Sequence, residues 1–133
     1  MPNDHRILIA DDDRDFRLGL ADLIGGLPGR FEIQQAESGA EALLYLRRQP
    51  FDLALLDMHM PGYTGLELVS FVRRETLGVP CIVLSGDATE AVRTMALHEG
   101  ALAVFRKPPE PALLRAEISR ALAIAAERDR SLN

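Results

Sequence analysis

Four aspartates, Asp11, Asp12, Asp13 and Asp15, fall within five positions directly after the apolar run of residues 7–10. A fifth, Asp57, follows the run of residues 52–56. Ser85 follows the run of residues 81–84, and Lys107 comes just after the run of residues 102–105. Carboxylates packed together raise one another's pKa values unless a cation intervenes. If the first and third runs lie side by side, Asp11, Asp12 and Asp57 converge. An all-oxygen donor set of this kind suits a hard cation, Mg²⁺ before Zn²⁺. Magnesium keeps several waters and takes one or two carboxylates directly, so a partly open site is expected. Lys107 adds a positive charge and Ser85 a hydroxyl. A divalent ion, a lysine and a hydroxyl around one carboxylate suit a phosphoryl group, with Asp57 as the nucleophile that forms an aspartyl phosphate.

Such convergence needs a scaffold that brings the ends of distant runs together. Five short apolar runs, residues 7–10, 31–36, 52–56, 81–84 and 102–105, read as strands buried on both faces, being mostly continuous rather than alternating. Amphipathic stretches separate them, at about residues 13–24, 39–48, 65–75, 88–99 and 111–128. The apolar faces are predicted to be Phe16, Leu20, Leu23 and Ile24 in the first, and Ala40, Leu43 and Leu44 in the second. In the fifth they are Leu113, Leu114, Ile118, Ala121, Leu122 and Ala125. Ser38 to Glu41 and Thr64 to Glu67 read as capping boxes. Asp13 is predicted to start the first helix and Asp87 the fourth, with Gly100 ending it. Alternating strands and helices imply a parallel sheet with right-handed crossovers and helices on both faces. In such folds ligands bind at the carboxyl ends of the strands, where Asp11, Asp12, Asp57, Ser85 and Lys107 are expected.

A length of 133 residues fits one domain with one full-sized core. A net charge of −5 makes nonspecific binding to nucleic acid or anionic membrane unfavourable. No apolar run approaches the roughly 20 residues of a membrane span. The start of the chain lacks the apolar core of a signal peptide. The single cysteine, Cys81, sits inside an apolar run and reads as a buried small hydrophobe, which with the rest suggests a reducing, cytoplasmic setting.

The chain resembles the receiver domains of two-component response regulators, over residues 6–126. The matching residues are Asp11-Asp12, the stretch from Asp57 to Pro61 with Gly65 to Leu68, Ser85-Gly86, Gly100-Ala101 and Lys107-Pro108. The resemblance implies an α/β fold of flavodoxin type, a doubly wound five-stranded parallel sheet in the order 2-1-3-4-5 flanked by five helices. It implies that Asp57 accepts a phosphoryl group from the phosphohistidine of a sensor histidine kinase or phosphotransfer protein, or from small phosphodonors. Asp12, Asp57 and the backbone carbonyl of His59 would hold Mg²⁺ directly, with Asp11 acting mainly through a metal-bound water. Lys107 would contact the phosphoryl oxygens, Ser85 with Gly86 would form the switch, and the bond before Pro108 would be cis. His59 and Asp87 would tune the lifetime of the phosphoryl group. An effector is expected on the face of helix four, strand five and helix five, and a second copy of the chain is a further candidate partner. No direct contact with nucleic acid or membrane is expected, nor turnover of an external substrate. One receiver domain over residues 1–133 with a short C-terminal tail is expected.

Two departures from the family pattern stand out. Val104 occupies the place, three before the lysine, where an aromatic residue is usual, with Phe105 beside it on the opposite face. Prolines at 108, 109 and 111 stiffen the next loop. A pseudo-receiver, the competing reading, would be expected to lack an acid or the lysine, and neither is missing. A hydrolase of the haloacid dehalogenase type would need an acid where His59 stands. A flavin mononucleotide carrier would need a phosphate loop in place of the acidic one. Asp15 needs no function, Met58 and Met60 suit packing, and Arg47-Arg48 and Arg73-Arg74 suit helix C-termini.

Overall fold

The computed structural model describes residues 4–131, so residues 132 and 133 of the expected tail lie outside the described residues. Strands and helices alternate: β1 (Asp4–Ala10), α1 (Arg14–Gly25), β2 (Arg30–Ala36), α2 (Gly39–Arg48), β3 (Leu53–Asp57), α3 (Gly65–Arg74), β4 (Cys81–Ser85), α4 (Glu90–Glu99), β5 (Ala103–Arg106) and α5 (Pro111–Ser131). All pairings are parallel, and the strand order is β2-β1-β3-β4-β5, as the family resemblance implied.

Both faces of the sheet are buried, which explains the unbroken apolar runs. Leu8, Ala10, Ala54, Leu56, Cys81, Val83 and Val104 pack into one core with α2, α3 and α4. The alternate residues Ile7, Ile9, Leu53, Leu55, Ile82 and Leu84 pack into a second core with α1 and α5. Phe105 joins the second core from the face opposite Val104.

Several expectations about local structure need correction. β1 starts at Asp4 rather than Ile7, because polar residues 4–6 pair with Arg30, Phe31 and Glu32 of the edge strand β2. On α2 the buried stripe is Ala42, Leu43 and Leu46, while Ala40 and Leu44 are exposed. The i, i+3 and i, i+4 partners on that helix are therefore set by Leu46, not by Leu44. Leu113 is exposed on α5, whereas Leu114, Ile118, Ala121, Leu122 and Ala125 are buried.

Asp87 does not cap α4. Thr89 does, accepting the Val92 amide on Oγ1 at 3.2 Å, and Asp87 belongs to the preceding turn. Asp13 caps α1 as expected, accepting the amides of Asp15 and Phe16. Thr64 and Glu67 form the full capping box of α3, whereas on α2 only the Ser38 half is present. Gly100 ends α4 at φ +117, a conformation that suits glycine.

Candidate functional site

The residues singled out in sequence meet at the C-terminal edge of the sheet. Asp11 follows β1, and its amide extends the ladder to the carbonyl of Ala36 at 3.0 Å. Asp57 is the last residue of β3, paired in register with Leu84, and Ser85 ends β4. Lys107 follows β5, its amide bonded to the Ser85 carbonyl at 3.0 Å. The bond from Lys107 to Pro108 is cis. Backbone pairing alone thus places all four residues at one edge.

Carboxylate oxygens of Asp11, Asp12 and Asp57 lie within 4.8 Å of one another. Asp11 and Asp57 are buried, and Asp12 is exposed at the mouth. Lys107 reaches into this cluster. Its Nζ stands 2.8 Å from Asp11 Oδ2 and 3.5 Å from Asp57 Oδ2, over the ring of Phe16 at 4.5 Å. Burial raises the Asp57 pKa above its ordinary value, and the charges of Asp11 and Asp12 push the same way. Lys107 and the backbone amide of His59 oppose the rise. For Lys107, burial favours loss of the proton. The hydrogen bond and charge of Asp11, with the charge of Asp57, outweigh that effect and raise its pKa.

The oxygens of the two acids after β1 are used differently. Asp11 Oδ1 accepts the Asp13 amide at 2.8 Å and Oδ2 accepts Lys107. The Asp12 carboxylate takes no hydrogen bond among the described residues. Three carboxylates with one ammonium leave a net negative cluster with free acceptor positions. The donor chemistry therefore fits a hard divalent cation.

Ser85 is fully buried, and its Oγ accepts the Asp87 amide at 3.1 Å. Gly86 and Asp87 are exposed beside it, and His59 is exposed on the loop after β3. That loop is held by the Met58 amide on the Leu84 carbonyl (2.8 Å) and by the Gly65 amide on the Met58 carbonyl (3.1 Å).

The model for the response regulator receiver domain matches residues 7–119. The chain belongs to this family. A response regulator receiver protein of Anaeromyxobacter sp. (strain Fw109-5) is 41% identical over 103 residues, covering 77% of this receiver and 42% of that protein. The response regulator PilR of Pseudomonas aeruginosa is 31% identical over 117 residues, covering 88% of this chain and 26% of that one. The receiver thus spans less than half the length of either relative. Among solved structures, the CheY-like receiver domain protein from Methanospirillum hungatei JF-1 superposes with a TM-score of 0.82 at 28% identity. That match covers 93% of this receiver and 98% of the other.

Two arginines of this receiver were not identified from sequence. Arg17, on α1, is 8% exposed. Its Nη1 donates to the Asp11 carbonyl at 2.7 Å and its Nε to Gln35 Oε1 at 3.0 Å. The available signal was a lone charge three residues before Leu20 and seven before Ile24 on the apolar stripe. Arg93, on α4, donates from Nη1 to the Val104 carbonyl at 2.7 Å. No periodicity announces that bond, because its acceptor is backbone.

Proposed function

We propose that this receiver is a phosphorylatable switch. Asp57 takes a phosphoryl group from the phosphohistidine of a sensor histidine kinase or phosphotransfer protein, in a step that needs Mg²⁺. The convergence of Asp11, Asp12 and Asp57 within 4.8 Å, with Lys107 Nζ 3.5 Å from Asp57 Oδ2, carries this reading.

In the transfer, an Asp57 carboxylate oxygen bonds to phosphorus while the phosphorus–nitrogen bond of the donor breaks. The electron pair stays on the imidazole nitrogen, and an aspartyl phosphate remains. When bound, Mg²⁺ supplies positive charge against the carboxylates and the phosphoryl oxygens. Asp12 and Asp57 would hold it together with the His59 carbonyl. Asp11, whose two oxygens already accept hydrogen bonds, would act on the cation indirectly, through an intervening water. Lys107 moves its ammonium from the carboxylates to the phosphoryl oxygens. The Ser85 hydroxyl, now an acceptor for the Asp87 amide, turns to donate to the same oxygens, with Gly86 giving the loop room to follow.

His59 and Asp87, both exposed, influence attacking water and hence the lifetime of the phosphoryl group. The effector meets the face of α4, β5 and α5, which carries a cavity of about 600 Å³ lined by Arg93, Leu97, Phe105 and Leu113. The domain acts in the cytoplasm, by self-phosphorylation and dephosphorylation rather than turnover of an external substrate. No helix among the described residues is long and apolar enough to cross a membrane.

The deciding experiment incubates the protein with acetyl phosphate and Mg²⁺, with and without EDTA, and reads intact mass. Metal-dependent phosphoryl uptake that disappears in Asp57→Asn supports the proposal. No uptake, or uptake unchanged in Asp57→Asn, overturns it.

A further inference from the structure

Arg17 is a buried cation that the chemistry above does not use. A guanidinium in a protein interior is unfavourable unless its protons are accepted and its charge is offset. Here both hydrogen-bond partners are neutral oxygens, the Asp11 carbonyl and Gln35 Oε1. Gln35 is the penultimate residue of β2, paired with Ile9 of β1. The Arg17 amide bonds to the carbonyl of the cap residue Asp13 at 3.1 Å. One side chain therefore ties α1 to the end of β2 and to the segment after β1. The carbonyl it holds belongs to the planar peptide unit joining Asp11 to Asp12, so fixing that oxygen fixes the orientation of the whole unit. The orientation of that unit sets the directions in which both side chains leave the backbone.

We propose that Arg17 is a positioning residue for the acidic loop: anchored on Gln35, it holds the Asp11–Asp12 peptide so that both carboxylates face Asp57 in the array that takes a divalent cation. This rests on the reading of the acidic cluster as a cation site. A lysine cannot replace it, because one ammonium lacks the planar fork that reaches two acceptors in fixed directions.

The test titrates Mg²⁺ alone into the full chain by calorimetry, comparing the parent protein with Arg17→Met, Arg17→Lys and Gln35→Leu. Both Arg17 substitutions are expected to weaken Mg²⁺ binding roughly tenfold, the lower end of losses seen for groups that orient metal ligands. If Arg17 were only a counter-charge, Arg17→Met would bind Mg²⁺ more tightly, since a positive charge has left the neighbourhood. Unchanged or tighter binding in Arg17→Met overturns the proposal. Should the Arg17 variants fail to fold by circular dichroism, Gln35→Leu decides. A smaller loss of affinity supports the proposal, and an unchanged affinity overturns it.

A second readout needs no metal. The Asp13 amide, bonded to Asp11 Oδ1, should exchange its hydrogen faster in Arg17→Met than in the parent, while amides of β3 keep their protection. Equal acceleration of both marks a role in stability alone and overturns the proposal. If the parent protein binds no Mg²⁺, the cation-site reading fails by itself, and the exchange experiment still tests the hold of Arg17 on the loop.

Discussion

Lys107 stands closer to Asp11 than to Asp57, with its Nζ 2.8 Å from one carboxylate and 3.5 Å from the other. The proposed phosphoacceptor is thus the less neutralised of the two buried acids in the metal-free protein. Removing its charge is expected to stabilise the fold. Burial and the neighbouring acids raise the Asp57 pKa above 3.8. A carboxyl that holds its proton more tightly when folded favours the folded state below its unfolded pKa. That contribution is lost as pH rises through the folded pKa. In EDTA, Asp57→Asn should therefore exceed the parent in stability near neutral pH by about 0.5–2 kcal/mol. The gap should shrink as pH falls toward 3.8, and shrink again when Mg²⁺ is added at neutral pH. Urea denaturation at a series of pH values measures it, and a gap independent of pH rules out charge as the cause.

The acids after β1 should separate cleanly by substitution. Asp12 is exposed and takes no hydrogen bond among the described residues, so Asp12→Ala leaves no protein group unpaired. It should preserve the fold and abolish Mg²⁺-dependent phosphoryl uptake. Asp15 lies in the first turn of α1, where an acid stabilises the helix by about 0.3–1 kcal/mol at most. Asp15→Ala should leave uptake unchanged and lower stability by no more than that. Intact-mass kinetics for the two variants check both expectations.

What the sequence made legible, and what it did not, divides along physical lines. Strands buried on both faces leave continuous apolar runs, so β3 and β4 were readable to within a residue. That the residues after each run would meet was readable because parallel strands place their C-terminal ends together. The polar first half of β1 was not, because its pairing with β2 involves backbone groups that leave no side-chain pattern. Thr89 was passed over for Asp87, since both residue types cap helices and only the path of the turn decides between them. The α2 stripe was misplaced because Leu43, Leu44 and Leu46 offer two overlapping faces of equal hydrophobicity. Arg17 and Arg93 were illegible for a different reason. Each donates to a backbone carbonyl, an acceptor that every residue possesses.

Gly65 couples the start of α3 to the end of β3. A Cβ placed on it would lie 2.5 Å from the carbonyl oxygen of Asp57 and 3.2 Å from the Cα of Met58. Those neighbours are backbone and cannot rotate away. Gly65→Ala is expected to cost about 1–3 kcal/mol, as overpacking does. It should also slow phosphoryl uptake by displacing the end of β3 that carries Asp57. Chemical denaturation and uptake rates on the same variant check the two effects together.

Cys81 opens β4 and is nearly inaccessible, with its Sγ on the Val79 carbonyl at 3.4 Å. Burial pushes its pKa up to about 12. The thiolate is the reactive form, so at neutral pH the folded protein should not react with Ellman's reagent on the timescale of a model thiol. In denaturant one thiol per chain should react promptly. Prompt reaction of the native protein would show that β4 opens locally.

Arg93 joins α4 to β5 at the residue where the family usually carries an aromatic side chain. On α4 Ala96 is buried and Val92 packs part-way against the core, while its last turn is tied to α3 by Ser70 and Arg73 on Glu99. The bond from Arg93 Nη1 to the Val104 carbonyl ties its first turns to β5. Val104 is 4% exposed and packs into the core on the helix α4 side, so it offers no ring to swing. Arg93→Ala should loosen α4 without touching the acidic cluster. Amide hydrogen exchange in α4 is expected to accelerate roughly tenfold, the effect of losing one charged-donor hydrogen bond of about 1.5 kcal/mol. Phosphoryl uptake at Asp57 should continue at the parent rate. If uptake falls along with α4 protection, the helix and the site are coupled more tightly than this bond alone provides. If α4 protection is unchanged, apolar contacts hold the helix and the arginine is dispensable.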